Sequence, residues 1–455
     1  MYRWFIAHRY LFSRIITFAA LVVIAASTSL LIVIISVMEG FRSELQARIR
    51  GTSSDLKVES TDFIALREPD KVSAIIEKVP GVNATAPYVE TIVFYRTNVG
   101  FSSLRDVQHR FLRVLDVERE LKVGELQKYL EAVELPRFPW LSKDPRVVFS
   151  AEWARKCFDK AQELEVKPMA APAAIPGAVL VGQEAYVKLG LYPGAQLRLT
   201  AYSPRTQEPT TGEFIVTGYF KTGLYEVDSM TILMERGEAK NFLGLVLDDG
   251  RETASGIRID VSPELETEAD LERIRSSVEA ALDREGVTFS RAVTWRDERA
   301  TLLGAVRVEK GIMSIILGMI ILFGGLMMFI ILTLLVVEKT RDLGVLQSLG
   351  ATPHSIASIF FRIGVALCAS GLAIGAMHGI GFALIVNLVQ RWIKLLTGYE
   401  VFPPNVYYID HIPVRFQAAD LLWIIVPTVL VSLFSSSIPA IRASKKDPVV
   451  ALRYE

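Results

Sequence analysis

The sequence predicts an α-helical membrane protein with four transmembrane helices and a large mixed α/β domain inserted between the first and second. Three observations predict it. Four segments, 15–38, 311–337, 356–388 and 421–440, are long and apolar enough to cross a bilayer, which takes about 20 such residues in a helix. The composition is two-natured: 51% of the 455 residues are hydrophobic, yet 50 basic and 50 acidic residues remain to be placed in water. Finally, the long polar interval between the first two spans alternates between helix and strand periodicity.

The first span, 15–38, carries no charge. It is longer than the 7–15 apolar residues of a secretion signal and shows no A-x-A-like site at its end. The preceding segment, 1–14, joins Trp4, Phe5, Tyr10 and Phe12 to Arg3, Arg9 and Arg14, the composition of an interfacial stretch. Orientation follows from basic flanks. Arg3, Arg9 and Arg14, then Lys339 and Arg341, then Arg442, Lys445, Lys446 and Arg453 all fall on one side of the bilayer, the cytoplasmic one. The domain at 39–310 and the loop at 389–420 are therefore outside, and the tail at 441–455 is inside, anchored to anionic lipid.

Within the outer domain, Val72, Ile75, Ile76 and Val79 mark a helix face, and NATAPYVETIVFYR follows as strand. Leu271, Ile274, Val278 and Leu282 mark a second helix, before the strand VTFSRAVTW. A more strand-like middle lies between these pairs, broken by SPRTQEPTTG, an exposed loop or hairpin tip. The stretch KPMAAPAAIPGA, 167–178, reads as a linker. Helix periodicity continues past the first span through Phe41, Leu45 and Ile49 to Gly51, and Leu302 and Val306 extend the second span backwards, so stalks are expected.

Between the second and third spans, VVEKTRDLGVLQSLGATPHSI forms an elbow at 338–355. At helical spacing Leu343, Val345, Leu346 and Leu349 share one side, with Arg341, Gly344, Gln347 and Ser348 on the other. Gly350 is placed to stop this helix, and Thr352 followed by Pro353 to start the next. Such an elbow is either an interfacial loop or a rigid knob for a cytoplasmic partner, and periodicity does not separate the two.

Catalysis has no foothold in the motifs. The chain has no GxxxxGK[ST] phosphate loop, no HExxH and no GxSxG. Its two cysteines, Cys157 and Cys368, fall on opposite sides of a membrane boundary, which argues against a disulfide and a metal cluster. Equal numbers of acidic and basic residues give no preference for nucleic acid. The expectation is a non-catalytic chain with no metal and no cofactor of its own. In the third span, Gly371, Gly375 and Gly379 allow close helix packing, and His378 beside them reads as a neutral imidazole with a hydrogen-bond partner more readily than as a proton relay.

The elbow VEKTRDLGVLQSLGATPHSI and the tail IPAIRASKKDPVVALRYE resemble permeases of the macrolide-exporter and cell-division-permease (MacB/FtsX) superfamily of ABC transporters. SVMEGFRSELQARIRG, VGQEAYVKLGLYPGAQLRL, GYFKTGLYEVDS and VYYIDHIPVRF are similar to the lipoprotein-releasing (LolC/LolE-type) permeases in particular. The resemblance covers most of the chain and is poorest over residues 97–177. It implies a multi-pass subunit of the inner membrane of a diderm bacterium, with its large domain in the periplasm. Such a subunit pairs with a second permease copy or paralogue and with a separate ABC ATPase subunit (LolD-like) that binds ATP and Mg. It extracts lipoprotein cargo from the membrane lipids and hands it to a periplasmic lipoprotein carrier (LolA-like).

The resemblance further implies that Glu338, Arg341 and Asp342 make ionic contacts with the ATPase, and Leu343, Leu346 and Leu349 apolar ones, in a coupling helix ended by Gly350. Val37, Met38 and Phe41 would contact acyl chains, beside a Glu39 where the family more often has Asn. Pro204, Arg205, Pro209 and Thr211 would stand where the family's carrier hook is found. Two alternatives share the architecture: a mechanical transmitter that controls a periplasmic hydrolase, and a peptide or drug exporter.

Overall fold

The computed structural model describes residues 15–445 apart from 61–65, 98–107, 134, 136, 164–176, 204, 207, 266, 288–289 and 399–410. The N-terminal segment 1–14, most of the expected linker and the tail from Lys446 lie outside the described residues. The chain divides into two units, one of residues 1–45 with 304–455 and the other of residues 46–303.

In the first unit the four apolar segments sit in helices Ile15–Thr52, Ala300–Glu338, Pro353–Thr397 and Ala418–Ser444. The first and third of these have 38 and 45 residues. At 1.5 Å per residue they run about 57 and 67 Å, well beyond a hydrocarbon core of about 30 Å. Hydropathy finds only the apolar part of a helix whose backbone hydrogen bonds continue into water. Toward the elbow, the core is built from Ala20, Ile24, Met328, Leu332, Leu335, Ile356, Phe360, Ile363 and Ala440. Toward the opposite end, Leu31, Ile32 and Ile424 pack with Leu317, Ile321 and Phe416.

Hydrocarbon outside a bundle is as apolar as its core, so the helices are held by close approach. A methyl group at Gly375 would lie 2.6 Å from the Ala25 carbonyl oxygen, and one at Gly379 2.9 Å from that of Ser29. At Gly371 it would lie 2.6 Å from Ile24 Cγ2. All three glycines therefore seat the third helix against the first.

The second unit contains a nine-stranded sheet. Its strands are β1 (Leu56–Ser60), β2 (Val82–Thr97), β3 (Gln108–Leu115), β4 (Gly177–Gly182), β5 (Gln196–Tyr202), β6 (Pro209–Phe220), β7 (Thr231–Glu235), β8 (Gly256–Val261) and β9 (Ser290–Thr294). In the order β9-β1-β8-β2, with helices Pro69–Ile76 and Glu268–Arg284 as crossovers, four of them form a split β-α-β-β-α-β unit. The two helix stripes read from the sequence are its buried faces: Val72 and Ile76, then Leu271, Ile274, Val278 and Leu282.

The 16-residue β2 is long enough to serve twice. Its first half pairs with β8, and beyond Tyr88 it pairs with β3 on one edge and, from Val93, with β5 on the other. Since β3 pairs with β7, β7 with β4, β4 with β6 and β6 with β5, six strands close into a ring. Alternate residues fill it: Val93 and Tyr95, Leu112 and Val114, Val179 and Val181, Leu197 and Leu199, Phe214 and Val216, Ile232 and Met234. Helix Ala151–Glu163 covers the outside, placing Trp153, Ala154 and Cys157 over Leu180, Ile215 and Leu233. Burial pushes the Cys157 thiol up to about 12, so it is a packing residue and not a reactive one.

The tail end of the expected linker is corrected here, because Gly177 and Ala178 open β4. The resemblance motifs in this unit turn out to be architectural. Asp228 accepts hydrogen bonds from Thr222 N, Thr222 Oγ1 and Gly223 N at 2.8, 2.7 and 3.1 Å, which folds GYFKTGLYEVDS back on itself. Burial nonetheless raises its carboxyl above the ordinary aspartate range. Gly182, from the other motif, lies so near that a methyl group there would sit 1.9 Å from the Asp228 carbonyl oxygen.

Candidate functional site

A cavity of about 530 Å³ opens among the first, second and fourth long helices. The first helix contributes Leu31, Ile34, Ile35, Met38, Phe41 and Leu45, recurring every three or four residues down one face. The second supplies Val306, Met313, Leu317 and Ile321, and the fourth Trp423, Ile424 and Pro427. Five charged residues share its wall: Glu39, Arg42, Glu309, Lys310 and Asp420. The site is amphipathic, apolar toward Leu31 and Ile321 and charged toward Arg42 and Lys310.

Of the three expected acyl-contact residues, Met38 and Phe41 line this cavity and Val37 does not. The reason is angular: at about 100° per residue the lining residues span an arc from Phe41 through Met38 to Glu39, and Val37 falls just outside its Phe41 edge. The adjacent Ser36 and Gly40 are occupied elsewhere. Ser36 O accepts from Arg415 N at 3.0 Å, and a methyl group at Gly40 would lie 2.2 Å from Pro413 O. Asn387 holds the same loop by bonding Ile412 N and Ile412 O at 2.7 and 3.0 Å.

Glu39, where the sequence departs from its resemblance, has a defined role here. Its carboxylate accepts from Arg42 Nε at 2.9 Å and Nη2 at 2.5 Å, and from Gln417 Nε2 at 2.7 Å. A nearly buried carboxylate is tolerated because a guanidinium fork and an amide neutralise it. Asp420, one turn beyond Gln417, lines the same cavity, and its Oδ2 is enclosed with no hydrogen-bond partner among the described residues. Sequence reasoning missed Gln417, Asp420 and Lys310 as site residues, because they stand at the polar margins of spans.

The elbow is helix Thr340–Ser348, separated from the second long helix by Lys339 alone. It ends as the sequence suggests: Gly350 is left-handed at φ 94°, with Gly350 N bonded to Gln347 O and Ala351 N to Leu346 O, a Schellman closure. Thr352 then caps the third helix through Ser355 N at 3.3 Å, with Pro353 in its first turn. The expected apolar face is corrected. Leu343 is buried in the membrane core with Leu335 and Ile356, which takes it away from any separate chain. Leu346 is half-buried, whereas Leu349 is 79% exposed. Glu338, Arg341, Asp342, Val345 and Leu349 are exposed, so the outward face mixes charge with hydrocarbon.

The expected hook is also redrawn. Pro209 and Thr211 belong to β6, where Thr211 Oγ1 meets Thr200 Oγ1 at 3.0 Å, and the turn between β5 and β6 spans only 203–208. Arg205 is exposed in that turn and bonds Asp248 at 2.8 Å, while Pro204 lies outside the described residues. In the third helix, His378 Nδ1 is 2.9 Å from Ser29 Oγ, which gives the imidazole a hydrogen-bond partner.

Residues 314–448 match the FtsX-like permease C-terminal family. The match falls on the second, third and fourth of the four helices that are long and apolar enough to cross a membrane, after the inserted α/β domain. Among particular proteins, the chain is 24% identical over 455 residues to the lipoprotein-releasing system transmembrane protein LolC of Xylella fastidiosa, covering 98% of this chain and 95% of the relative. The Neisseria meningitidis protein of that name is 24% identical over 452 residues, with the same coverage. An uncharacterized ABC transporter permease of Bacillus subtilis, YknZ, is 28% identical over 197 residues, 43% of this chain and 45% of that protein. Among solved structures, the periplasmic region of MacB from Actinobacillus actinomycetemcomitans gives a TM-score of 0.30 at 11% identity, covering 56% of this chain and 94% of that one. The α/β assignment rests on the strand order itself.

Proposed function

We propose that this chain is the permease subunit that withdraws lipoproteins from the inner membrane and passes them to a periplasmic carrier, driven by ATP hydrolysis in a separate chain. The observation that carries the proposal is the amphipathic cavity, whose volume falls in the range of ligand sites and whose one wall is the Met38–Phe41 face. The adaptable thioether of Met38 suits chains of varied shape. The physical problem is steep. Each methylene moved from hydrocarbon to water costs about 0.8 kcal/mol, so one chain of about 16 carbons costs on the order of 12 kcal/mol. A cavity that replaces lipid by protein hydrocarbon removes that cost for as long as the chains stay covered. The cavity must then close to expel them, and a chain with no phosphate loop has to receive that work from outside.

The elbow is the proposed inlet for it. Arg341, Asp342, Val345 and Leu349 would face the ATPase, while Leu343 ties the elbow to the membrane core. The second permease is taken to be a further copy or a paralogue. Depletion of this chain in spheroplasts tests the reading: lipoproteins should accumulate in the inner membrane. Normal release together with a cell-separation defect would replace it with the mechanical transmitter, a reading to which the unbroken Ile15–Thr52 helix is equally suited.

A further inference from the structure

The acyl-binding reading leaves one group unexplained. Of the charged residues on the cavity wall, Glu309 and Lys310 are exposed, and Glu39 pairs with Arg42, with Gln417 added and Asp420 within the electrostatic reach of Arg42. Asp420 is different, because its Oδ2 is enclosed yet bonds to nothing among the described residues. Its place in the first turn of the Ala418–Ser444 helix accounts for its sign, since the positive end of the helix dipole favours a carboxylate there. It does not account for a buried acceptor without a donor, an arrangement that native structures seldom keep. Asp420 also stands where the lining changes from Trp423, Ile424 and Pro427 to Gln417 and Glu39. Among lipids and lipidated chains, that boundary is where the hydrocarbon tails join the head.

We propose that Asp420 is a specificity residue that accepts a hydrogen bond from a nitrogen-bound hydrogen next to the acyl chains of the occupant. This rests on the acyl-binding reading of the cavity and adds the chemistry that the head must carry. A donor there satisfies the enclosed oxygen, whereas a head presenting only ester oxygens leaves it unpaired or sets acceptor against acceptor. Two molecules supply the donor: the acylated N-terminus of a lipidated polypeptide, through its amide N–H, and an ethanolamine phospholipid, through its ammonium.

The test uses the intact transporter in phosphatidylcholine nanodiscs. The probes are a fluorescent peptide beginning with triacylated cysteine, the same peptide with its first two amide nitrogens methylated, and tail-labelled phosphatidylethanolamine. Wild type should prefer one donor-bearing probe over its donor-free counterpart by about tenfold, one well-made hydrogen bond to a charged acceptor. Asp420→Leu should erase that preference and leave the methylated peptide bound as before, while Asp420→Glu should restore part of it. A preference for the unmethylated peptide assigns the donor to the cargo. A preference for phosphatidylethanolamine over phosphatidylcholine assigns it to the lipid. Equal loss of every probe, or no change in any, would overturn the inference and leave the cavity reading standing. Failure of wild type to bind any probe would overturn both.

Discussion

The two units solve opposite problems with opposite means. In the 46–303 unit, water outside makes burial favourable, and the ring of strands is packed by large side chains from both of its faces. Its charges are gathered into hubs, as where the Arg236 guanidinium reaches Asp70, Glu252 and Asp116, and where Arg258 pairs with Glu120. In the other unit, large side chains also face outward along whole helices, Ile312, Ile315, Met319, Leu322 and Leu326 on the second among them, and the third helix meets the first through glycines. The membrane unit adds close approach of backbones to its apolar core, and the 46–303 unit adds charge pairing. Glycine is thus needed in both, for different reasons.

That contrast can be broken experimentally, starting with the largest effect. Gly182→Val forces a side chain from the end of a ring strand into the Asp228 backbone of helix Tyr225–Met230, and should cost more than about 4 kcal/mol. Chemical unfolding followed through Trp153 fluorescence would measure it. Gly375→Val drives a side chain at the Ala25 carbonyl, but two helices can slide apart in lipid, so about 2 kcal/mol is expected. Detergent-dependent melting of the full chain reads that difference, and a larger loss at Gly375 than at Gly182 would refute the comparison.

Charge should matter next. Arg236→Met leaves Glu252 with Lys240 alone and strips Asp70 of a two-pronged partner, for a loss of about 3 kcal/mol in urea titration. Asp70 itself is half-exposed, so Asp70→Asn should cost under about 1 kcal/mol at neutral pH. The hydrogen bond from Arg236 holds the Asp70 carboxyl below the ordinary aspartate range. The stabilisation is therefore complete above the unfolded value of about 4 and disappears as pH falls through the lower native one. Melts of wild type and Asp70→Asn should converge in acid, and a gap that persists there would exclude the pairing. The smallest effect on stability belongs to Leu349→Asp, within about 0.5 kcal/mol because the residue is exposed. Under the proposed function it should nevertheless abolish co-purification with the ATPase, and retention of the ATPase would remove the elbow from that role.

Signals that repeat within a helix turn were legible in the sequence. The spans, both helix stripes of the α/β unit, the Gly350 stop and the Thr352–Pro353 start all depend on neighbours within a few residues. The ring was not legible, since its closure joins Val93 to Ala201, over 100 positions away, and no local pattern announces a partner. The SPRTQEPTTG turn was found, but its strand boundary was not, because Pro209 is admitted at the first position of β6. Met38 and Phe41 followed from the resemblance, while the Glu39, Arg42 and Gln417 cluster needed the loop before the fourth helix to be placed.

Closure of the ring also restricts how another protein could engage the 46–303 unit. Recognition by strand addition requires an unpaired backbone edge. Most residues of the ring strands, of β1 and of β8 are paired on both sides; Pro209–Glu213 of β6 are paired with β5 alone, and β9 keeps a free outer side. That strand is five residues long and carries Arg291, a poor template for an extended peptide. Strand addition is thus confined to short edges, and recognition elsewhere on this unit falls to side chains and turns, whose sequences can change without disturbing the barrel.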